Sequence, residues 1–214
     1  SLIFDPPDGR IPPRTAEGER ITAQREEQAR LRGGRFDSAE NNQLSDRCII
    51  MGGAGPPMMN MVYNSNYQIV QSRDYVMFLV EMIHDARIIP LDGREQADAN
   101  VRQWMGTSRG HWEGDTLVVE TANFNGKNPF RGSTENMRVT ERFTRVDDET
   151  IIYRFTIDDE IMWTRPWSAE LSMKKTIGPL FEHACHEGNY GLYNTLVGAR
   201  REERLAAEAA AAQE

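Results

Sequence analysis

Short apolar runs alternate with turn signals from residue 67 to residue 188, the pattern of strands joined by tight connections. "YQIVQS" and "YVMFLVEMI" flank Arg73-Asp74, "ARIIPL" runs into the turn "DGRE", and "GHWEG" with "TLVVET" reads as a hairpin. "NMRVTERFTRV" and "ETIIYRFTIDD" flank Asp147-Asp148 as a second hairpin, followed by "IMWTRPWSAELSMKK" and "LFEHACHE". About eight strands with hardly any helix between them predict a mainly β, antiparallel, lipocalin-like barrel or curled sheet, with a sandwich as the alternative.

Residues 1–66 read as an N-terminal arm. The Pro-Pro pairs at Pro6-Pro7 and Pro12-Pro13 impose extended backbone. Thr15 is placed to cap a helix reaching about Leu31 and ending at Gly33-Gly34. That helix is charged all round and is expected to be solvated. "GGAGPPMMNM" suits a packed loop or lid; it lacks the Lys-Ser/Thr ending of a phosphate loop. Residues 189–214 are expected to form a C-terminal helix starting near Asn189.

Strand side chains alternate faces, so parity identifies polar residues that share a face with the core. Met137, Val139, Glu141, Phe143 and Arg145 fall together, opposite a polar face of Arg138, Thr140 and Arg142. Ile151, Tyr153, Phe155 and Ile157 form the next apolar face, and Trp163, Arg165 and Trp167 line up on the one after it. The inward side is therefore expected to hold a carboxylate, a guanidinium, a phenol and two indoles. A buried Glu141–Arg165 pair fits, since a core charge is costly unless paired. A cavity binding an oxygen-rich or aromatic ligand, with Arg165 as anion clamp, fits equally.

The composition narrows the partners. A net charge of −8 repels phosphate backbones, so nucleic acid is not expected. The longest apolar run is broken by Glu81 and falls short of the roughly 18 residues of a membrane span. The chain begins at Ser1, and its compartment cannot be read from that end. Cys48 and Cys185 are the chain's two cysteines. Two separate buried thiols and one long-range disulfide both fit them.

The densest chemistry is "HACHEGN", His183 to Asn189. Read as the strand Leu180–Glu187, it splits His183 and His186 onto opposite faces. No Cys-x-x-Cys or His-Glu-x-x-His spacing occurs, so neither metal nor cofactor is expected. His84, His186 and Glu187 would be the only ligand set. A Cys185 nucleophile is disfavoured because His186 would face away from it. His186, Glu187 and Asn189 are instead placed at a pocket rim, and His84 ends an apolar strand as a group able to move protons near neutral pH.

The segments "DPPDGRIPP", "MIHDARIIPLDGR", "WMGTSRGHWEGDTLVVETANF", "FRGSTENMRVTERFTRVDDET" and "ACHEGNYG" together resemble a family of uncharacterised exported bacterial proteins, abundant in acidobacteria and sphingomonads. Members typically carry a signal peptide and a "GKPDLSGVW" segment, which this chain lacks. The resemblance implies a periplasmic or secreted protein, a Cys48–Cys185 disulfide, and a chain that is part of a longer precursor. It brings no catalytic residues.

Three functions follow as expectations. The first is a cofactor-free acid/base enzyme performing elimination, isomerisation or hydrolysis on a small molecule. In it His84 or Glu141 would act as base and His186 as acid, with Tyr153 and Arg165 holding an oxyanion. The second is a non-catalytic lipocalin-like binder with Trp163 and Trp167 as stacking walls. The third is an assembly module that forms homo-oligomers through its terminal arms.

Overall fold

Residues 2–61 and 63–212 are described by a computed structural model. The expected hairpins form. The strands are β1 (Ile3–Asp5), β2 (Tyr67–Gln71), β3 (Tyr75–Val80), β4 (Ala86–Pro90), β5 (Thr107–Glu113), β6 (Thr116–Ala122), β7 (Arg138–Arg145), β8 (Thr150–Asp158) and β9 (Trp167–Lys174). Helices α1 (Ala16–Leu31) and α2 (Tyr190–Ala211) lie towards the two ends of the chain.

All the ladders are antiparallel, but they make two sheets: six strands in the order β1-β9-β8-β7-β6-β5, and three in the order β2-β3-β4. Among the described residues no closed barrel is present. β4 and β5 come close without a shared ladder. Close approach is possible because Gly110 has no side chain; a Cβ there would lie 2.9 Å from Ile89 Cγ2 and 3.0 Å from Leu91 Cδ2. At the other end of the curl, β2 and β9 do not pair at all.

The core lies between the inner faces of the two sheets. Val139, Glu141 and Phe143 on β7, and Tyr153, Phe155 and Ile157 on β8, are buried as their alternation requires. A row of rings crosses this face. Phe78 meets Phe143 at 4.9 Å, Phe143 meets Tyr153 at 4.9 Å, and Tyr153 meets Phe155 at 5.7 Å. Burying each such side chain contributes about 1.5–3 kcal/mol.

The N-terminal arm is held within its own chain. β1 pairs with β9, and Arg14 bridges to Trp163. Thr15 caps α1 by accepting from Gly18 N–H at 2.9 Å. Most of α1 is solvated, as its composition requires. It docks through buried Gly18 against Met162, and through Arg25, which donates to Gly132 O at 2.6 Å and Ser133 O at 3.1 Å. The Gly/Pro/Met segment is a packed loop in which Ala54 and Met58 are buried.

Candidate functional site

The inward carboxylate of β7 has a partner that sequence parity does not assign to it. Arg87 of β4 donates to Glu141 Oε1 from Nη1 at 3.2 Å and to Oε2 from Nη2 at 2.5 Å. Tyr153 donates its hydroxyl to Glu141 Oε1 at 2.8 Å and accepts the Met58 N–H at 2.8 Å. Arg87 Nη2 also reaches Ser108 Oγ and Thr121 Oγ1, both at 3.4 Å. Side-chain exposure is 3% for Arg87 and 0% for Glu141. Burial works against the Arg87 charge, but the adjoining carboxylate outweighs it and raises the guanidinium pKa. Burial, and then the Glu141 charge, push the Tyr153 phenol far up, so it stays a neutral donor.

Above this network lies a cleft of about 650 Å³ between β2 and the ends of β8 and β9. Its apolar lining includes Met58, Tyr67, Ile69, Ile151, Leu171 and Met173. Charged residues of both signs, Arg145, Asp148, Glu149, Lys174 and Lys175, line it as well. The Tyr67 hydroxyl is buried with no hydrogen-bond partner among the described residues. Burial raises its pKa to about 12; Arg87 opposes the shift and Glu141 adds to it. A second, smaller cleft of about 320 Å³ lies under the glycine-rich loop, against Trp104, Phe124 and Phe130.

The residues expected to form the site are dispersed. Glu141 and Tyr153 come together as expected. Arg165 does not join them: the chain turns at Asp159–Trp163, β9 starts only at Trp167, and Arg165 is exposed and pairs with Asp5 at 2.7 Å. Buried Asp159 fixes that turn by accepting from Thr134 N at 2.6 Å. Trp163 and Trp167 are core residues, edge to face at 5.8 Å, and line neither cleft described above.

His84 is not on β3, which stops at Val80; it sits exposed in a short 3-10 turn, with Nδ1 3.0 Å from His183 O. The segment Leu180–Glu187 is not a strand. It is irregular to Ala184 and then turns over Cys185–Gly188, because the disulfide and the helix start take over its backbone. His186 and Glu187 are exposed there, outside both clefts. Asn189 serves the fold instead. It accepts from Leu192 N at 3.3 Å as the cap of α2 and donates to Asp46 O at 2.7 Å.

Cys48 and Cys185 are joined in a disulfide. Among the described residues no group of three or more His, Cys, Asp or Glu side chains is placed to hold a metal ion, and no helix is long and apolar enough to cross a membrane. Compared with family models, curated proteins and solved structures, the chain matches none.

Arg87 and Tyr67 are the residues that sequence reasoning misses. Arg87 shares its parity with Ile89 and lies opposite Phe78, so alternation holds a signal. "ARIIPL" has an isoleucine on each face, however, and does not say which faces inward.

Proposed function

We propose that the protein is an exported, non-catalytic binding protein whose ligand lies in the cleft between β2 and β9, a lipocalin-type use of a curled sheet. The observation that carries this reading is a cleft of about 650 Å³ that sets apolar side chains, among them Met58, Ile69, Ile151 and Met173, beside polar ones. Acid/base chemistry is less well supported. Glu141 is sealed and committed to Arg87 and Tyr153, and His84 and His186 stand outside the cleft. The disulfide supports export, since such bonds persist in oxidising compartments.

The test uses 8-anilinonaphthalene-1-sulfonate, a fluorescent probe of apolar clefts. Half-buried Ile151 lines the cleft, so Ile151→Trp fills it. The wild type is expected to bind the probe, and Ile151→Trp to bind it at least about tenfold more weakly while keeping its circular dichroism. Equal binding by the two, or none by the wild type, overturns the reading.

A further inference from the structure

The smaller cleft, under the glycine-rich loop, differs from the larger one in its charge. Among the described residues Arg131 is the only ionisable residue that lines it, whereas the larger cleft has charges of both signs. Its walls are rings and apolar chains. Trp104 is half-buried and Phe124 and Met137 are buried, with Met59 and Phe130 beside them.

Arg131 is held there at a conformational cost. Its backbone, at φ 53° and ψ 25°, is in the left-handed region that strains a non-glycine residue. The turn around it is fixed from several sides. Phe130 stacks on Trp167 at 6.1 Å and meets Phe155 edge to face at 6.2 Å. Ser133 N–H donates to Phe130 O at 3.0 Å, and Arg25 of α1 donates to Gly132 O and Ser133 O. An arginine kept at the surface for solubility alone needs no such backbone. No acidic group neutralises it. Arg131 makes no hydrogen bond or ion pair among the described residues, and the nearest acidic residue along the sequence, Glu135, pairs with Arg102 at 3.8 Å. Trp104 Nε1 and the side-chain amides of Asn60 and Asn128 likewise have no hydrogen-bond partner among the described residues.

We propose that this cleft binds a small aromatic monocarboxylate, with its carboxylate on Arg131 and its ring against Trp104 and Phe130. Three features select that class. A guanidinium presents paired N–H donors that match one carboxylate. A single cation balances a single negative charge; a phosphate monoester would bring a second, unmet charge to a protein of net charge −8. A volume of about 320 Å³ lies at the small end of ligand pockets and suits one ring rather than a long acyl chain, and flat aromatic walls favour a ring. The linings of the two clefts share Met59 and Asn60 and no other residue, so the proposal stands apart from the larger cleft and its ligand.

The probe is trans-cinnamate, titrated into the isotope-labelled protein and followed by NMR at the tryptophan indole N–H and isoleucine methyl signals. The Trp104 signal is expected to move most among the indoles, and the Ile151 methyls, which line only the larger cleft, to stay in place. Arg131 is exposed, so the neutral isostere cinnamamide should bind about fivefold more weakly, the upper range for an ion pair that water reaches. Arg131→Asn removes the cation and keeps a residue that tolerates the left-handed backbone. It should bind the acid no better than the amide, whereas a merely loosened turn would weaken both and leave the preference standing. An unmoved Trp104 signal up to the solubility of the acid, or movement of Ile151 without Trp104, overturns the proposal. So does equal binding of acid and amide by the wild type, a comparison that needs no variant, or a preference for the acid that survives in Arg131→Asn.

Discussion

Arg87 on β4 and Glu141 on β7 join the two sheets through two hydrogen bonds, at 3.2 and 2.5 Å. Both side chains are almost wholly out of solvent, whereas the other ion pairs among the described residues keep substantial exposure on both members. Pairing, the Tyr153 hydroxyl and the hydroxyls of Ser108 and Thr121 meet most of the desolvation cost. Arg87 Nε is still unpaired. The pair specifies how the small sheet sits on the large one; apolar packing supplies most of the stability.

Removing one partner should therefore be severe. Glu141→Gln leaves the Arg87 charge buried with a neutral amide and is expected to cost about 3–5 kcal/mol in a denaturant titration. The double change Glu141→Gln with Arg87→Met removes the stranded charge and should recover much of that loss. A single-mutant cost below about 1 kcal/mol would show that water reaches the pair.

Much of the β domain is legible in the sequence because period-2 alternation and turn signals agree in the hairpins around Gly114-Asp115 and Asp147-Asp148. The inward placement of Glu141 and Tyr153 follows from the same rule. Where alternation misleads, the causes are physical. Parity does not carry through Pro166, where the backbone is not yet a strand, and extending it there puts Arg165 on the wrong side. Nor does parity govern Leu180–Glu187, whose conformation is set by a disulfide to a distant loop and by the Asn189 cap. The cleft lies between strands that are far apart in sequence and share no ladder, so local pattern holds no trace of it.

Gly18 separates two opposing rules. Helix propensity alone says Gly→Ala inside α1 stabilises by about 1 kcal/mol. A Cβ at Gly18, however, would lie 2.5 Å from Met162 O and 3.1 Å from Met162 Cα. Backbone atoms on the Asp159–Trp163 turn cannot swing aside as a flexible side chain would. Gly18→Ala is expected to destabilise by about 1–3 kcal/mol. A thermal melt showing stabilisation would mean that α1 moves freely over that turn.

The Cys48–Cys185 bond spans a sequence separation of 137 residues, a loop that holds β2 to β9 entire. Closing so long a loop restricts the unfolded chain and should contribute about 3–5 kcal/mol. Replacing both cysteines by serine should lower the denaturant midpoint accordingly without changing the strand content. A loss under about 1 kcal/mol would place the disulfide's effect on local order around Asp46 and Asn189 instead.

Alkaline pH tests the interior hydroxyls. The Tyr67 pKa is raised to about 12 by burial, and Tyr153 is pushed well above its ordinary value by burial and by Glu141. Both folded values lie above the unfolded value near 10, so the native state keeps protons that the unfolded chain releases. Their contribution is therefore complete below about pH 10 and is lost as pH rises through the folded values, about 12 for Tyr67. Denaturant titrations stepped across that window should show stability falling, by about 2 kcal/mol for Tyr67 alone. Tyr67→Phe should make the fall shallower. At neutral pH the same change should leave stability within about 1 kcal/mol of wild type, because the lost hydroxyl has no partner. An unchanged alkaline slope in Tyr67→Phe would mean that this phenol ionises in contact with water, and that the cleft reaches it from solvent.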